Sequence, residues 1–342
     1  MPGPLPSTSL AAAARRAGRI SEAIGIVDAE TQRTELMEGR TAADYFEWGL
    51  CYEFAGLEST SLGTLITAFN LATVSGDPRI AFEAAGQLAW LHALCGRGRD
   101  ADLWLERAKA RAATAGPVRR GADVLAEALR AADALRPDLA VELVIARATG
   151  AEDELRLIAL AQSAVFRYSA GAAPDALLDE LRQAEEADGA LLVEYGENLV
   201  VVRYTEGLLQ LAAQRPALAV ERLDGVAARG GEPFVIGLRA LAHLAAGDAA
   251  AALRDADRAF AYYHQWPRIL IPAGLVKALL AAEAGDRRGA AAAFVAACRI
   301  ADENAIPSAL LNVPPEALRR LAAIAGADEL PDSVREMLRT TA

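Results

Sequence analysis

The segment GRGRDA, at residues 96–101, is the first place to look for nucleotide chemistry because it has the form G-x-G-x-x-A. In dinucleotide-binding folds this pattern follows a β-strand and opens a helix whose N-terminus holds the pyrophosphate. The residues before it here have helical periodicity, so we interpret both glycines as part of a turn between helices. A P-loop is also excluded, since Ala follows both lysines of the chain, Lys109 and Lys277.

The histidines and carboxylates show no spacing that is typical of a catalytic or metal centre. His92, His243 and His264 form no HExxH or other paired ligand pattern, and we expect His92 and His243 to be half-buried between helices. Acidic residues follow solvated helix faces, and no G-x-S-x-G nucleophile motif occurs. We therefore expect no metal, no cofactor and no enzymatic activity. Buried, reduced thiols are expected at the three cysteines, Cys51, Cys95 and Cys298.

Composition limits the classes of partner. The 342 residues carry a formal net charge of −11, which argues against direct nucleic-acid binding, because that requires clustered cations. Hydrophobic residues make up 53% of the chain but aromatic residues only 6%, a balance that favours closely packed helices with small contact residues. The sequence shows neither a secretory signal nor an apolar run of 18 residues, so we expect a cytoplasmic protein without a membrane segment.

Turn signals recur along the chain between amphipathic segments of roughly 12–20 residues. In most of them a Gly ends one helix and an Asp or Pro begins the next. This pattern predicts an all-helical chain of short-looped helical hairpins. The turn segments are AGR at 17–19, SGDP at 75–78, CGRGRD at 95–100, AGAAPD at 170–175, AGDA at 246–249 and AGDRRG at 284–289, with LRPDLA at 135–140 replacing the Gly turn.

The hairpins repeat at a nearly constant spacing. Small residues at the start of each second helix, where it would meet the first, lie 33 to 43 residues apart, which indicates a helical-hairpin repeat array. We predict one domain over residues 1–342, a right-handed α-solenoid with repeats over about 8–304 and capping helices over 305–342. The aligned residues are Ala23, Ser61, Ala101, Ala140, Ala176, Ala219, Ala252 and Ala290.

The segment YFEWGLCYEFAG at 45–56 is the best-conserved first helix of this pattern within the chain. Together with the next helix it follows the order of large, small and Gly positions of a tetratricopeptide (TPR) repeat, so about eight TPR-like hairpins are expected. The positions that match are Tyr45, Trp48, Gly49, Tyr52, Gly56, Ser61, Leu65 and Ala68.

In such arrays the first helix of each hairpin lines a concave groove. The inward positions are mainly apolar with a few polar groups, which suits a small hydrophobic ligand or an amphipathic helix. A tightly wound superhelix would instead bury the same residues as core, and the sequence leaves both possibilities open. The candidate groove residues are Phe46, Leu50, Glu53, Trp90, Leu94, Tyr168, Asn198, Val201, Tyr204, Leu208 and Phe234.

The spacing near 38 residues, together with LAWLHALCGRGRDADLWLERAKARA at 88–112, resembles the helical-repeat region of LuxR-family transcriptional regulators of the MalT-like group. The resemblance covers roughly residues 40–325. It implies a superhelical sensor that binds a small inducer or a regulatory protein. In that family an ATPase module precedes the repeats and a helix-turn-helix domain follows them, and this sequence shows the motifs of neither, so it is expected to be either an excised sensor or a stand-alone relative.

Three functions are consistent with these patterns. The first is a non-catalytic sensor module of a bacterial transcriptional regulator, with a small-molecule inducer or a protein partner in the groove. The second is a stand-alone TPR scaffold that binds a protein helix or peptide, and a homodimer is a further option for either. The third, which the lack of a catalytic motif disfavours, is an all-helical enzyme that uses Glu53, Glu83 or His243 in the groove.

Overall fold

A computed structural model describes residues 7–32, 39–116, 121–148, 153–188, 192, 196–262 and 266–340. Over these residues every regular element is helical, which confirms the all-α prediction. The α-helices are α1 (Ser7–Arg16), α2 (Ile20–Thr31), α3 (Ala42–Phe54), α4 (Glu58–Ser75), α5 (Pro78–Cys95), α6 (Gly98–Ala115), α7 (Ala122–Asp133), α8 (Pro137–Ala148), α9 (Asp153–Ser169), α10 (Pro174–Asp188), α11 (Glu197–Ala212), α12 (Pro216–Val226), α13 (Glu232–Ala245), α14 (Ala249–Tyr262), α15 (Pro267–Glu283), α16 (Arg287–Glu303), α17 (Pro315–Ala325) and α18 (Asp332–Thr340).

Three shorter elements complete the described chain. A π-helical turn at Ala227–Gly231 joins α12 to α13, and Gly230 (φ 96°) interrupts its helical geometry. The 3-10 helices Pro307–Asn312 and Ala327–Glu329 precede α17 and α18. The first of them and α17 both contact α15 and α16.

The helices begin and end where the turn signals predict, as the junction between α4 and α5 illustrates. Gly76 ends α4 in the left-handed conformation, with φ 73°. The side chain of Asp77 then accepts a hydrogen bond from the Ile80 backbone N–H at 3.0 Å, and Pro78 occupies the first turn of α5. These are short-range interactions, so the local sequence is sufficient to specify them.

Consecutive helices pack as pairs, α1 with α2 through α15 with α16. In each pair the fourth residue of the second helix is fully buried. One of the eight predicted contact residues, Ala176, is wrong. Ala176 is exposed, and Leu177 is buried in its place because α10 begins at Pro174. The fourth residues, all with zero exposure, are Ala23, Ser61, Ala101, Ala140, Leu177, Ala219, Ala252 and Ala290.

The α13–α15 contact requires a glycine. A Cβ at Gly237 of α13 would lie 2.4 Å from the backbone oxygen of Ile269 in α15, and the backbone has little freedom to yield. We expect Gly237→Ala to lower the free energy of unfolding by about 1–3 kcal/mol through overpacking. Gly63→Ala in α4 is the matched control: nothing lies within 4 Å of its Cβ, so helix propensity should raise stability by about 0.5–1 kcal/mol. Equal effects in chemical denaturation would contradict this assignment.

The later helices fold back onto the earlier ones. The guanidinium of Arg268 in α15 donates to the Ala93 carbonyl of α5 at 3.0 Å and to both carboxylate oxygens of Asp133 in α7 at 2.8 and 3.1 Å. Arg130 of α7 donates to the Ala305 carbonyl at 2.8 Å. The interior between the first helices of the pairs is therefore closed over part of its length by contacts between distant segments.

Candidate functional site

The predicted groove residues divide into a buried and a half-buried set. Buried are Phe46, Leu50, Glu53, Trp90, Asn198 and Val201. Half-buried are Leu94, Tyr168, Tyr204, Leu208 and Phe234. The buried apolar members form part of the largest core cluster of the described residues, so at these positions the side chains are core.

Two hydrogen bonds across the interior connect α3, α5 and α11. The indole Nε1 of Trp90, a fully buried residue, donates to Oε1 of Glu197 at 2.6 Å, joining positions 107 residues apart. Gln87, one turn earlier on α5, donates from Nε2 to Oε1 of Glu53 at 2.6 Å. Each buried carboxylate thus accepts a hydrogen bond from a neutral side chain, which offsets part of the cost of burying its charge.

A third glutamate lies at the N-terminus of α4. Glu58 is buried, and its Oε1 lies 3.1 Å from Nη2 of Arg97 in the turn before α6. This ion pair connects two successive helix pairs. Glu53, Glu58 and Glu197 therefore lie on α3, α4 and α11, and tertiary packing brings the three side chains around the same cavity.

These side chains surround a cavity between α3, α5, α11 and α13. The empty space measures about 430 Å³ when it is counted to the open mouth. Four of the predicted groove residues contribute to its wall. The lining residues are Glu53, Gly56, Glu58, Leu91, Leu94, Cys95, Glu197, Val200, Val201 and Phe234.

The surface that faces this cavity is almost wholly apolar. Leu91 and Val201 belong to the largest core cluster. Val200 belongs to a separate cluster around α12 and α13, and Phe234 packs against that second cluster. The cavity is therefore the gap between two packed clusters that do not fill the space between them. The atoms that line such a gap lack dispersion contacts on one side unless another apolar group fills the space.

Tyr168, Tyr204 and Leu208 lie outside the cavity wall. Tyr168 packs against the largest cluster, and Tyr204 and Leu208 pack against the α12–α13 cluster. Burial raises the pKa of the Tyr204 phenol, and the nearby charge of Arg268 opposes that shift. The structure thus brings Glu53, Leu94, Val201 and Phe234 together and leaves these three residues apart from them.

Sequence reasoning missed three polar residues of this region. Glu197, Glu58 and Gln87 each follow a pattern that the sequence interprets as ordinary helix, and none has a motif around it. Helix phase was the available signal for Gln87, because it lies one turn before Leu91 and two turns before Leu94 on α5. For Glu197 and Glu58 the partners are identified only by the three-dimensional contacts.

The thiols of Cys95 and Cys298 favour the protonated form. Burial raises the pKa of Cys95 well above its ordinary value, and the charge of Glu58 raises it further. Burial also raises the pKa of Cys298 to about 12. Since the thiolate is the reactive form, both groups are unreactive near neutral pH. Cys51 is also buried and reduced.

The two described histidines are half-buried, as predicted, and His264 lies outside the described residues. Nδ1 of His92 lies 3.8 Å from Oδ2 of Asp100. Burial lowers the pKa of His92, the charge of Arg97 lowers it further, and the charge of Asp100 opposes the shift. His243 has Nε2 3.9 Å from Oδ2 of Asp255. Over the residues that the structure describes, no group of three or more His, Cys, Asp or Glu side chains is arranged to hold a metal ion.

His92 should contribute a pH-dependent part of stability. Because its pKa is lowered in the folded protein, the unfolded chain binds the proton more readily, so stability falls as pH drops through about 6.5 towards the folded pKa. In the wild type, His92 should lower the free energy of unfolding by at most about 1.4 kcal/mol for each unit that the pH drops in this range. We expect His92→Gln to lack this decrease. Denaturant titrations between pH 8 and 5 measure the difference, and parallel curves for the variant and the wild type would contradict it.

Comparison with known proteins does not assign a family. No protein-family model matches the chain, and no curated protein sequence matches it significantly. The resemblance to MalT-like helical repeats stays a prediction that is based on the repeat spacing and the quoted segment. Within the described ranges, no helix combines the length and apolar character needed to cross a bilayer.

Proposed function

We propose that this chain is a non-catalytic sensor module of a bacterial transcriptional regulator, built as a right-handed α-solenoid of about eight TPR-like hairpins with a C-terminal helical cap. The regular burial of the fourth residue in each second helix, from Ala23 to Ala290, supports the repeat. Gly49 and Gly207 support it further, because a Cβ at either would approach the equivalent residue of the following helix, Leu65 or Leu223, to within 3 Å. Regularly stacked hairpins are the expected basis of such an array.

The observation that carries the ligand-binding part is the cavity between α3, α5, α11 and α13. Small-molecule sites in proteins are concave and mainly apolar. This cavity has an apolar wall and includes four of the predicted groove residues. It also lies where several hairpins meet, so an occupant would contact helices that are distant in sequence and would change their relative stability.

A small molecule fits this space better than a partner helix does. Two turns of α-helix with their side chains occupy roughly 800–1,200 Å³, which exceeds the available volume about twofold. The buried state of Phe46, Leu50 and Trp90 also removes much of the open groove that a helix would need. A stand-alone scaffold would therefore have to use another surface of the chain.

The function is tested by thermal and chemical unfolding of the chain with a panel of neutral, cationic and anionic metabolites. A true ligand should raise the free energy of unfolding by about 2.7 kcal/mol at a hundredfold excess over its dissociation constant. Turnover of any panel compound would contradict a non-catalytic module. A panel in which no compound changes stability would overturn the small-molecule sensor and leave the scaffold as the remaining function.

A further inference from the structure

The outward face of α4 carries no charge. No Asp, Glu, Lys or Arg occurs between Glu58 and Asp77, so the helix is uncharged from Ser59 to its end at Ser75. Each of the other second helices, α2, α6, α8, α10, α12, α14 and α16, exposes at least two charged side chains over its described residues. Since 24% of the residues of the whole chain are charged, α4 departs from the surface composition of its neighbours.

The exposed residues of α4 include a straight stripe. Ser59, Gly63, Ile66, Asn70 and Val74 are all exposed and follow one another at intervals of three or four residues, so they lie along one line of the helix. Val74 is 88% exposed and Ile66 is 38% exposed. A Cβ at Gly63 would meet no atom within 4 Å, so no part of the described chain covers the centre of this stripe.

The threonine hydroxyls beside the stripe are already satisfied within the helix. Oγ1 of Thr64 donates to the Thr60 carbonyl at 2.8 Å, and Oγ1 of Thr67 donates to the Gly63 carbonyl at 2.9 Å. These donors need no partner from outside the helix. Removing this face from water therefore costs less than removing a face whose polar groups depend on hydration.

The charge of the whole chain indicates which partner suits an uncharged face. The net charge is −11, so two copies of the chain repel each other wherever their charged surfaces meet. A two-fold symmetric contact uses the same patch twice, so a charge near the axis would meet its own copy. The stripe avoids this repulsion, because Arg107 and Arg111 of α6, which lie over the Phe69 ring, are at its border and outside it. A partner recognised through opposite charge would find no charged residue on α4 to bind.

The stripe is also complementary to itself when two copies of α4 run antiparallel. With the two-fold axis between Ile66 and Thr67, Gly63 comes opposite Asn70 of the second copy. In the same arrangement Ser59 comes opposite Val74. Both pairs place a small residue against a larger one, and the three- and four-residue intervals favour a crossing angle of about 20°.

We propose that α4 is the contact helix of a homodimer in which two α4 faces pack antiparallel around a two-fold axis. A helix of 18 residues is about 27 Å long and about 10 Å wide. Two such faces bury roughly 500–1,000 Å² in total, which is below the usual size of a stable interface. The dimer is therefore reversible, with a dissociation constant of about 10–100 µM, and at low micromolar concentration the chain is a monomer.

Sedimentation equilibrium of the intact chain tests the dimer over a concentration range of about 5–500 µM, which brackets the expected dissociation constant. Raising the NaCl concentration from about 50 to about 500 mM should tighten association about two- to tenfold, because salt screens the repulsion between two negative chains. Association that salt weakens would indicate contacts between opposite charges and would overturn the proposal. A chain that stays monomeric over the whole range would also overturn it and would leave the face to a different protein.

Charges placed at the two-fold axis assign the contact to α4. Ile66→Asp and Ile66→Lys should each weaken association at least about tenfold, because two like charges then lie close together across the axis. An equimolar mixture of the two variants should dimerise again, because opposite charges now meet. Leu103→Asp is the matched control, since Leu103 is 50% exposed on the second helix α6 and lies outside the α4 face, and it should leave association unchanged.

The same measurements separate this inference from the sensor function. Circular dichroism verifies that the variants stay folded, as the exposure of Ile66 leads us to expect. A dimer that Ile66→Asp leaves unchanged, or a mixture that associates no better than either variant alone, would place the contact elsewhere and overturn the proposal. The cavity does not include any residue of the stripe, so failure of the dimer would leave the sensor function standing.

Discussion

Replacing Asp133 with Ala should lower the free energy of unfolding by about 3–5 kcal/mol, the largest effect that we expect from a single polar residue. Asp133 has zero exposure at the end of α7. Its carboxylate accepts hydrogen bonds from Arg268 at 2.8 and 3.1 Å, from Arg130 at 3.1 Å and from Ser308 at 2.8 Å. One side chain thus joins α7 to α15 and to the 3-10 helix Pro307–Asn312.

The magnitude follows from what the substitution leaves behind. Burial of Arg268 opposes its charged form, but the charge and hydrogen bonds of Asp133 outweigh burial, so the pKa of Arg268 is raised. Without Asp133 this guanidinium would remain in the interior with its principal counterion removed, and removing one member of a buried pair is more damaging than removing both. We therefore expect the double variant Asp133→Ala/Arg268→Met to recover part of the lost stability.

Asp102→Ala is the matched control for Asp133→Ala. Asp102 also binds Arg130, with Nε–Oδ1 at 2.8 Å, but its side chain is 53% exposed. Solvent screens such pairs, so we expect a loss of at most about 1 kcal/mol. Urea titrations followed by circular dichroism measure all three variants. A loss for Asp133→Ala no larger than that for Asp102→Ala would show that the long-range connection contributes little.

Trp90→Ala should also be strongly destabilising, by about 3–5 kcal/mol, because it empties a fully buried aromatic site in α5. Trp90→Phe separates the hydrogen bond from the packing. Phe retains most of the apolar surface but cannot donate to Glu197, so this variant should lose about 1.5–3 kcal/mol, the usual contribution of a hydrogen bond to a charged group.

Trp104→Phe is the control for the ring exchange itself. Trp104 is also buried, and its ring packs edge-on against Phe69 with centroids 5.1 Å apart. Trp104→Phe should lower the free energy of unfolding by at least about 1 kcal/mol less than Trp90→Phe does. Adding Glu197→Gln to Trp90→Phe should reduce the loss, because a neutral amide costs less to bury than a carboxylate. Additive effects in this double-mutant cycle would contradict a direct Trp90–Glu197 interaction.

The secondary structure could be predicted because its signals are local. The Gly–Asp–Pro sequence at 76–78 ends α4, caps α5 and supplies its first-turn proline within three positions. The one register error shows the limit of this reasoning. The repeat spacing selected Ala176 as the small contact residue, whereas α10 begins at Pro174 and its fourth residue, Leu177, is the one buried in the core. Helix phase, and not residue size, decided that contact.

The candidate site could be predicted only in part. Helical periodicity identified Glu53, Leu94, Val201 and Phe234 as inward-facing, and all four line the cavity. It also selected Tyr168, Tyr204 and Leu208, which pack elsewhere. Periodicity gives the face of a helix on which a residue lies. Which residues of that face line a cavity depends on how helices that are distant in sequence pack against one another, and periodicity does not determine that packing.

The sequence by itself determined the helical class, the positions of the turns and the apolar faces, because capping, glycine conformation and periodicity act within a few residues. Only the tertiary structure decided that Trp90 meets Glu197, that Arg268 meets Asp133, and that a cavity remains between two core clusters. These contacts join residues more than 100 positions apart, and their partners are chosen by the accumulated geometry of the intervening helices and the cost of burying a charge without a partner.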